Sequence, residues 1–178
     1  MPDATNRGFT LVELLLAMAL GLLITGMAVQ LLLGEARAGG ALARHLQLRR
    51  WQRRTLALVK ADLKDALSWS IRPTEVSGSS CGLAGRQPQL AIHPRNGAAP
   101  VLYSLGKAPS AIWRSPVLMR CGPAFQLNGR PSGGSYQNRV VLDGVDRFAV
   151  DAHPQLPVLL LELEQRRGDQ LIRSSAVG

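Results

Sequence analysis

The chain has 178 residues, room for one modest domain plus an anchor. An apolar share of 46% excludes a disordered polymer, and aromatics at 4% leave Leu, Val and Ala to fill whatever core forms. The formal charge of +9 comes almost wholly from Arg, with only three Lys among 21 basic residues, and suits phosphate, lipid headgroups, nucleic acid or acidic protein partners without choosing among them.

The apolar residues are concentrated near the N-terminus. From Leu14 to Gly34 there is no charge, and 21 residues of helix span about 30 Å, one hydrocarbon core. Just ahead of that run sits one acid, Glu13. A carboxylate at the centre of a membrane helix costs roughly 2.5–3.5 kcal/mol, so its presence needs a reason. One reason is local. Thr10-Leu11-Val12-Glu13 spells a capping box, in which Glu13 answers a backbone N–H at the helix start. A plain signal anchor needs nothing more. A cleaved secretory signal is a second reading, with Ala36-Arg37-Ala38 as its cleavage site, but the apolar run is far longer than the 7–15 residues such signals use.

The string Arg7-Gly8-Phe9-Thr10-Leu11-Val12-Glu13-Leu14 resembles the class III leader junction of type IV pilins and type II secretion pseudopilins. The resemblance implies a leader of residues 1–8, cleavage after Gly8 by a prepilin peptidase, N-methylation of Phe9, and a helix at 9–34 that anchors in the inner (cytoplasmic) membrane as a single pass. It also implies that Glu13, at the fifth mature position, pairs with the N-terminal amine of a neighbouring pilin and sets assembly register. Pairing relieves the cost of a carboxylate in apolar surroundings. The C-terminal domain would face the periplasm and then travel to the pilus surface. The arginines from Arg37 to Arg54 would by themselves place that end in the cytoplasm; the leader motif is given precedence over them.

The helix is expected to continue over 35–71, since no Pro interrupts residues 35–70 and good helix formers abound. Gly39-Gly40 marks a kink. Leu56, Val59, Leu63 and Leu67 recur at helical spacing and should face a sheet. Arg72-Pro73 should end the helix. The Arg run reads first as contact with headgroups or acidic faces of other subunits, and DNA ranks a distant third.

Residues 72–178 read as a globular antiparallel β domain. Strands are expected at 89–93, 101–105, 112–117, 139–142, 148–152, 158–164 and 171–175. Residues 77–82 and 127–135 read as loops, and Arg166 to Asp169 as a hairpin turn. The class is α+β: a long helix packed on an antiparallel sheet. Val141 to Phe148, Leu156-Pro157-Val158 and the helix end around Asp62-Leu63 resemble PilW-type minor pilins and their J-type pseudopilin relatives.

Cys81 and Cys121 are expected to form one disulfide, because the domain follows a membrane segment. His45, His93 and His153 stand alone, and the two Cys do not make a zinc site. Asp143, Asp146 and Asp151 lack the Gly and distal Glu of an EF-hand loop and read as polar turn and strand-edge charges rather than a calcium site. Arg167-Gly168-Asp169 fits a hairpin better than an adhesion signal. No nucleophile, base or phosphate loop is grouped, so no catalytic residue, metal or cofactor is expected. The expected role is a minor pilin that helps initiate a type IV pilus at its tip. A J-type pseudopilin of a type II secretion system is the near alternative, and an uncleaved bitopic anchor with a periplasmic binding domain is the alternative of another class.

Overall fold

A computed structural model describes residues 10–74, 80–126, 131–168 and 170–178. Leader residues 1–8 and Phe9 lie outside them. The chain divides into two compact units, Met1–Leu46 and Gln47–Gly178.

Helix α1 runs Leu11–Lys64, and Gly39-Gly40 does not interrupt it. In the first unit, Leu11–Gly34 is long and apolar enough to cross a membrane, and none of it is buried by the protein itself. Leu14, Leu22, Ile24, Leu31 and their neighbours are exposed around the whole helix. Such an all-round apolar surface needs lipid or other helices to cover it.

In the second unit, the end of α1 packs on strands that, among the described residues, number eight: β1 Ala66–Ile71, β2 Gln87–Pro94, β3 Val101–Gly106, β4 Val117–Phe125, β5 Pro131–Asp143, β6 Val145–Ala152, β7 Leu159–Arg167 and β8 Gln170–Val177. The first five form one antiparallel sheet in chain order, and the last three form another. The protein is therefore α+β, as the sequence pattern indicates, with two meanders in place of one sheet. The break falls at Gly144, which takes φ +61°, and a Cβ there would meet the Arg166 carbonyl at 3.3 Å. The core draws Leu56 and Val59 from α1, Leu90, Ile92, Tyr103 and Leu118 from the first sheet, and Phe148, Val150, Leu161 and Leu163 from the second. Leu63 packs against its edge.

Several expectations need correction. The helix stops at Lys64, not near residue 71. Residues 66–71 pair with β2, with Trp69 opposite Ile92 and Ile71 opposite Leu90. Leu67, Trp69 and Ile71 alternate with Ser68 and Ser70, the period of a strand, and this outweighs the helical spacing that runs on to Leu67. Leu67 consequently sits on a strand face turned to solvent, 74% exposed, instead of on the helix stripe. The Arg72-Pro73 stop signal is real, but it ends β1. The strand expected at 112–117 begins only at Val117, and Ile112 is in a turn and exposed. The run Val117–Cys121 is buried throughout, so it lacks the alternation by which half-buried strands are recognised. Within the loop expected at 127–135, residues 127–130 are outside the described set, and Pro131 onward belongs to β5. Gly and Pro are tolerated there because β5 is an edge strand.

Cys81 and Cys121 form a disulfide with their Cα atoms 6.0 Å apart. With Ala91, Leu102, Leu83 and Tyr136, they make a second small cluster on the sheet.

Candidate functional site

Two places combine polar groups in a way that packing alone does not require. The first is the start of α1. The Thr10 backbone N–H donates to Glu13 Oε2 at 2.9 Å, and the Thr10 hydroxyl reaches the same oxygen at 3.0 Å. The Glu13 N–H donates back to Thr10 Oγ1 at 3.3 Å. These are the reciprocal bonds of a capping box. Among the described residues no cation is ion-paired with Glu13. The carboxylate therefore stands at the helix entrance, held by neutral donors and open to a cation from elsewhere. Gly8 and Phe9 precede it, outside the described residues. Further along, the Thr25 hydroxyl donates to the Gly21 carbonyl at 2.8 Å, which satisfies it within the helix.

The second place lies where the end of α1 meets the first sheet. Arg120, on β4, donates from Nε to Asp62 Oδ2 at 2.7 Å and from Nη2 to Asp62 Oδ1 at 2.8 Å. The two side chains are 7% and 8% exposed. Tyr103, on β3, donates its hydroxyl to Asp62 Oδ2 at 2.6 Å. Arg120 Nη1 also donates to the Pro123 carbonyl at 3.1 Å, and its guanidinium lies 4.8 Å from the Phe125 ring centre. Gly122 makes room for this, since a Cβ there would come within 2.7 Å of Arg120 Nη1. Burial pushes the Tyr103 hydroxyl well above its ordinary range, and the Asp62 charge adds to that. Burial opposes the Arg120 charge, but the bonds to Asp62 outweigh it and hold the guanidinium above its usual value. The arrangement pins helix to sheet. It offers no nucleophile with a neighbouring base.

Sequence reading missed this cluster as a site. The signal was a charge in an unsuitable place: Arg120 interrupts the apolar run Val117–Cys121, and a charge in a buried strand requires a partner. Gln52 was missed too. It is fully buried on α1, donating to the Ile172 carbonyl at 3.0 Å and accepting from the Ser174 hydroxyl at 2.6 Å.

The remaining candidates are separated. Asp146 pairs with Arg166 at 2.7 Å and Asp151 with Arg72 at 3.3 Å. Among the described residues no group of three or more His, Cys, Asp or Glu is placed to hold a metal. His153 accepts a bond from the Gln155 N–H at 3.2 Å, a local turn contact. Arg167 pairs with Gln170 across the β7–β8 hairpin and Gly168 takes φ +60°, while Asp169 lies outside the described residues. Arg49, Arg50, Arg53 and Arg54 are exposed.

Residues 3–29 match the family described as the prokaryotic N-terminal methylation motif. The match supports a type IV pilin-like or pseudopilin chain, whose class III leader implies processing by a prepilin peptidase and assembly with other pilins or pseudopilins. It covers the junction, Glu13 and most of the apolar segment. No curated protein and no solved structure matches the chain.

Proposed function

We propose that this chain is a minor pilin. It is made as a precursor held in the inner membrane by Leu11–Gly34, cut after Gly8, and N-methylated at Phe9. Its helix then leaves lipid and joins a bundle of other pilins, and its β domain sits at the filament tip, where it helps start assembly. The observation that carries this reading is the methylation motif over residues 3–29, laid directly on an uncovered apolar helix. A helix exposed on all sides favours lipid first and other helices second, and both stages of the proposed life cycle supply such a cover.

Glu13 has a role at each stage. In the membrane it completes the Thr10 cap. In the bundle it exchanges those neutral donors for the methylated amine of a neighbour. An ion pair in apolar surroundings has a demanding geometry, and breaking it by removing one partner is expensive, so the pair fixes which register the helices adopt.

The test is a Glu13→Ala chain expressed beside the other pilins of its host. Cleavage is expected to proceed, and recovery in sheared filaments is expected to fall at least tenfold. Incorporation at the normal level would overturn the register role. Accumulation of the wild-type chain only with a secretion complex, never in pili, would move the reading to a J-type pseudopilin.

A further inference from the structure

A groove of about 670 Å³ runs beside the second half of α1, between the helix and the β4–β5 end of the first sheet. Trp51, Arg54 and Leu58 line it from the helix, Trp113 from the turn before β4, and Phe125 and Arg139 from the strands. The spacing of Trp51, Arg54 and Leu58 puts them along one stripe of α1. That stripe is separate from the one formed by Leu56, Val59 and Leu63, which feeds the core. Trp51, Trp113 and Phe125 are 41%, 39% and 39% exposed, so three large rings share one open depression. The chain has only three Trp, and two of them are here. A monomer has little reason to leave such rings uncovered together, and Trp and Arg are the side chains that dominate the affinity of protein interfaces.

The charges say what would cover them. Among the described residues Arg54, which is exposed, forms no ion pair, and Arg139 bonds only to the neutral Gln137 side chain. Arg120 also reaches the groove but is committed to Asp62. Two arginines are thus free to receive carboxylates in bidentate fashion beside apolar rings. The outer carbonyls of the β5 edge are less available. Val141 accepts from the Thr55 hydroxyl at 3.4 Å and Asp143 from Gln165 Nε2 at 2.7 Å, which opposes recognition by adding a strand. Asp143 also lines the groove, so an anionic partner must place discrete charges at Arg54 and Arg139 and keep them clear of this acid.

We propose that this groove is a docking site for an acidic, partly apolar segment of a partner protein, read through side chains. Carboxylates engage Arg54 and Arg139, and apolar side chains pack against Trp51, Trp113 and Phe125. The site goes beyond the N-terminal reading and does not depend on it, because it belongs to the β unit and is read by binding instead of assembly.

The test uses the full chain in detergent micelles. A displayed library of random twelve-residue peptides is selected on it, and the enriched peptides are measured by fluorescence anisotropy. They are expected to carry Asp or Glu near aromatic or aliphatic residues. Arg54→Glu, Arg139→Glu and Trp51→Ala should each weaken binding at least tenfold, while Arg147→Glu, exposed on β6, should leave it unchanged. Against Arg139→Glu, the same peptides rewritten with Lys in place of their acids should bind better than the originals, which also demonstrates that the variant is folded. Enrichment without acids, no enrichment at all, or affinity indifferent to Arg54→Glu and Arg139→Glu would overturn the proposal. Preferential binding of a twelve-residue oligothymidine, lost in the same variants, would overturn it in favour of nucleic acid.

Discussion

Asp62 and Arg120 form the most consequential pair in the β unit. Both are withdrawn from water, so each depends on the other for its charge. Arg120→Leu leaves Asp62 with the Tyr103 hydroxyl alone, and Asp62→Leu strands a buried guanidinium. Each single change is expected to cost about 3–5 kcal/mol, whereas the double change to Leu should cost much less, because apolar replacement of a whole buried pair is often close to neutral. Denaturant titration of the four chains checks this, and equal losses in the single and double variants would contradict it. Tyr103 adds a pH dependence. Its folded-state pKa is raised by burial and by Asp62, so the fold holds the neutral phenol. Unfolded Tyr titrates near about 10. The stabilisation is complete below that value and is lost as pH rises above it, when the unfolded state releases a proton that the folded state retains. Tyr103→Phe should therefore flatten the decline of stability above about pH 10, read by the same titration at several pH values. At Gly122 the expectation is steric: Gly122→Ala should destabilise, because its Cβ would displace the Arg120 guanidinium from Asp62.

At the scale of elements, the disulfide ties the loop before β2 to the centre of β4 across 40 residues of sequence. Loop-closure arguments assign about 3–4 kcal/mol to a closed loop of that length. Cys81→Ser with Cys121→Ser should lower stability by that order, seen as a lower denaturation midpoint, and no shift would contradict a structural bridge. Much of this level was legible. The membrane-length helix, its Thr10–Glu13 cap, the pairing of Cys81 with Cys121 and the cores of β2, β3, β6, β7 and β8 follow from apolar runs, capping residues and turn chemistry. The rest escaped for separate reasons. Residues 67–71 do carry a strand signal, since Leu67, Trp69 and Ile71 alternate with Ser68 and Ser70, but Leu67 also extends the helical spacing of Leu56, Val59 and Leu63 and so masks it. Residues 117–121 are buried on both faces and so show no period. Residues 131–136 resemble a loop and are carried into β5 by pairing with the tail of β4, with Tyr136 opposite Pro123. Asp62, Arg120 and Tyr103 lie 41 and 58 residues apart in their hydrogen-bonded pairs, and local pattern cannot join them.

For the whole molecule, the two units carry different kinds of interaction. The first is an apolar helix whose entrance holds a carboxylate that no cation pairs among the described residues, and the second is a stapled β unit with an aromatic and cationic groove. The minor-pilin account joins them in order of events: membrane, cleavage, bundle, tip contact. Its earliest event is the most exposed to disproof. Intact mass and N-terminal sequencing of the membrane-extracted chain, made with and without a prepilin peptidase, read it directly. The account requires a chain beginning at N-methylated Phe9 when the peptidase is present and at Met1 when it is absent. A chain beginning at Met1 in both samples would contradict the account and leave Glu13 as a helix cap and nothing more. A chain beginning at Gly39 would contradict it equally and restore a secretory signal.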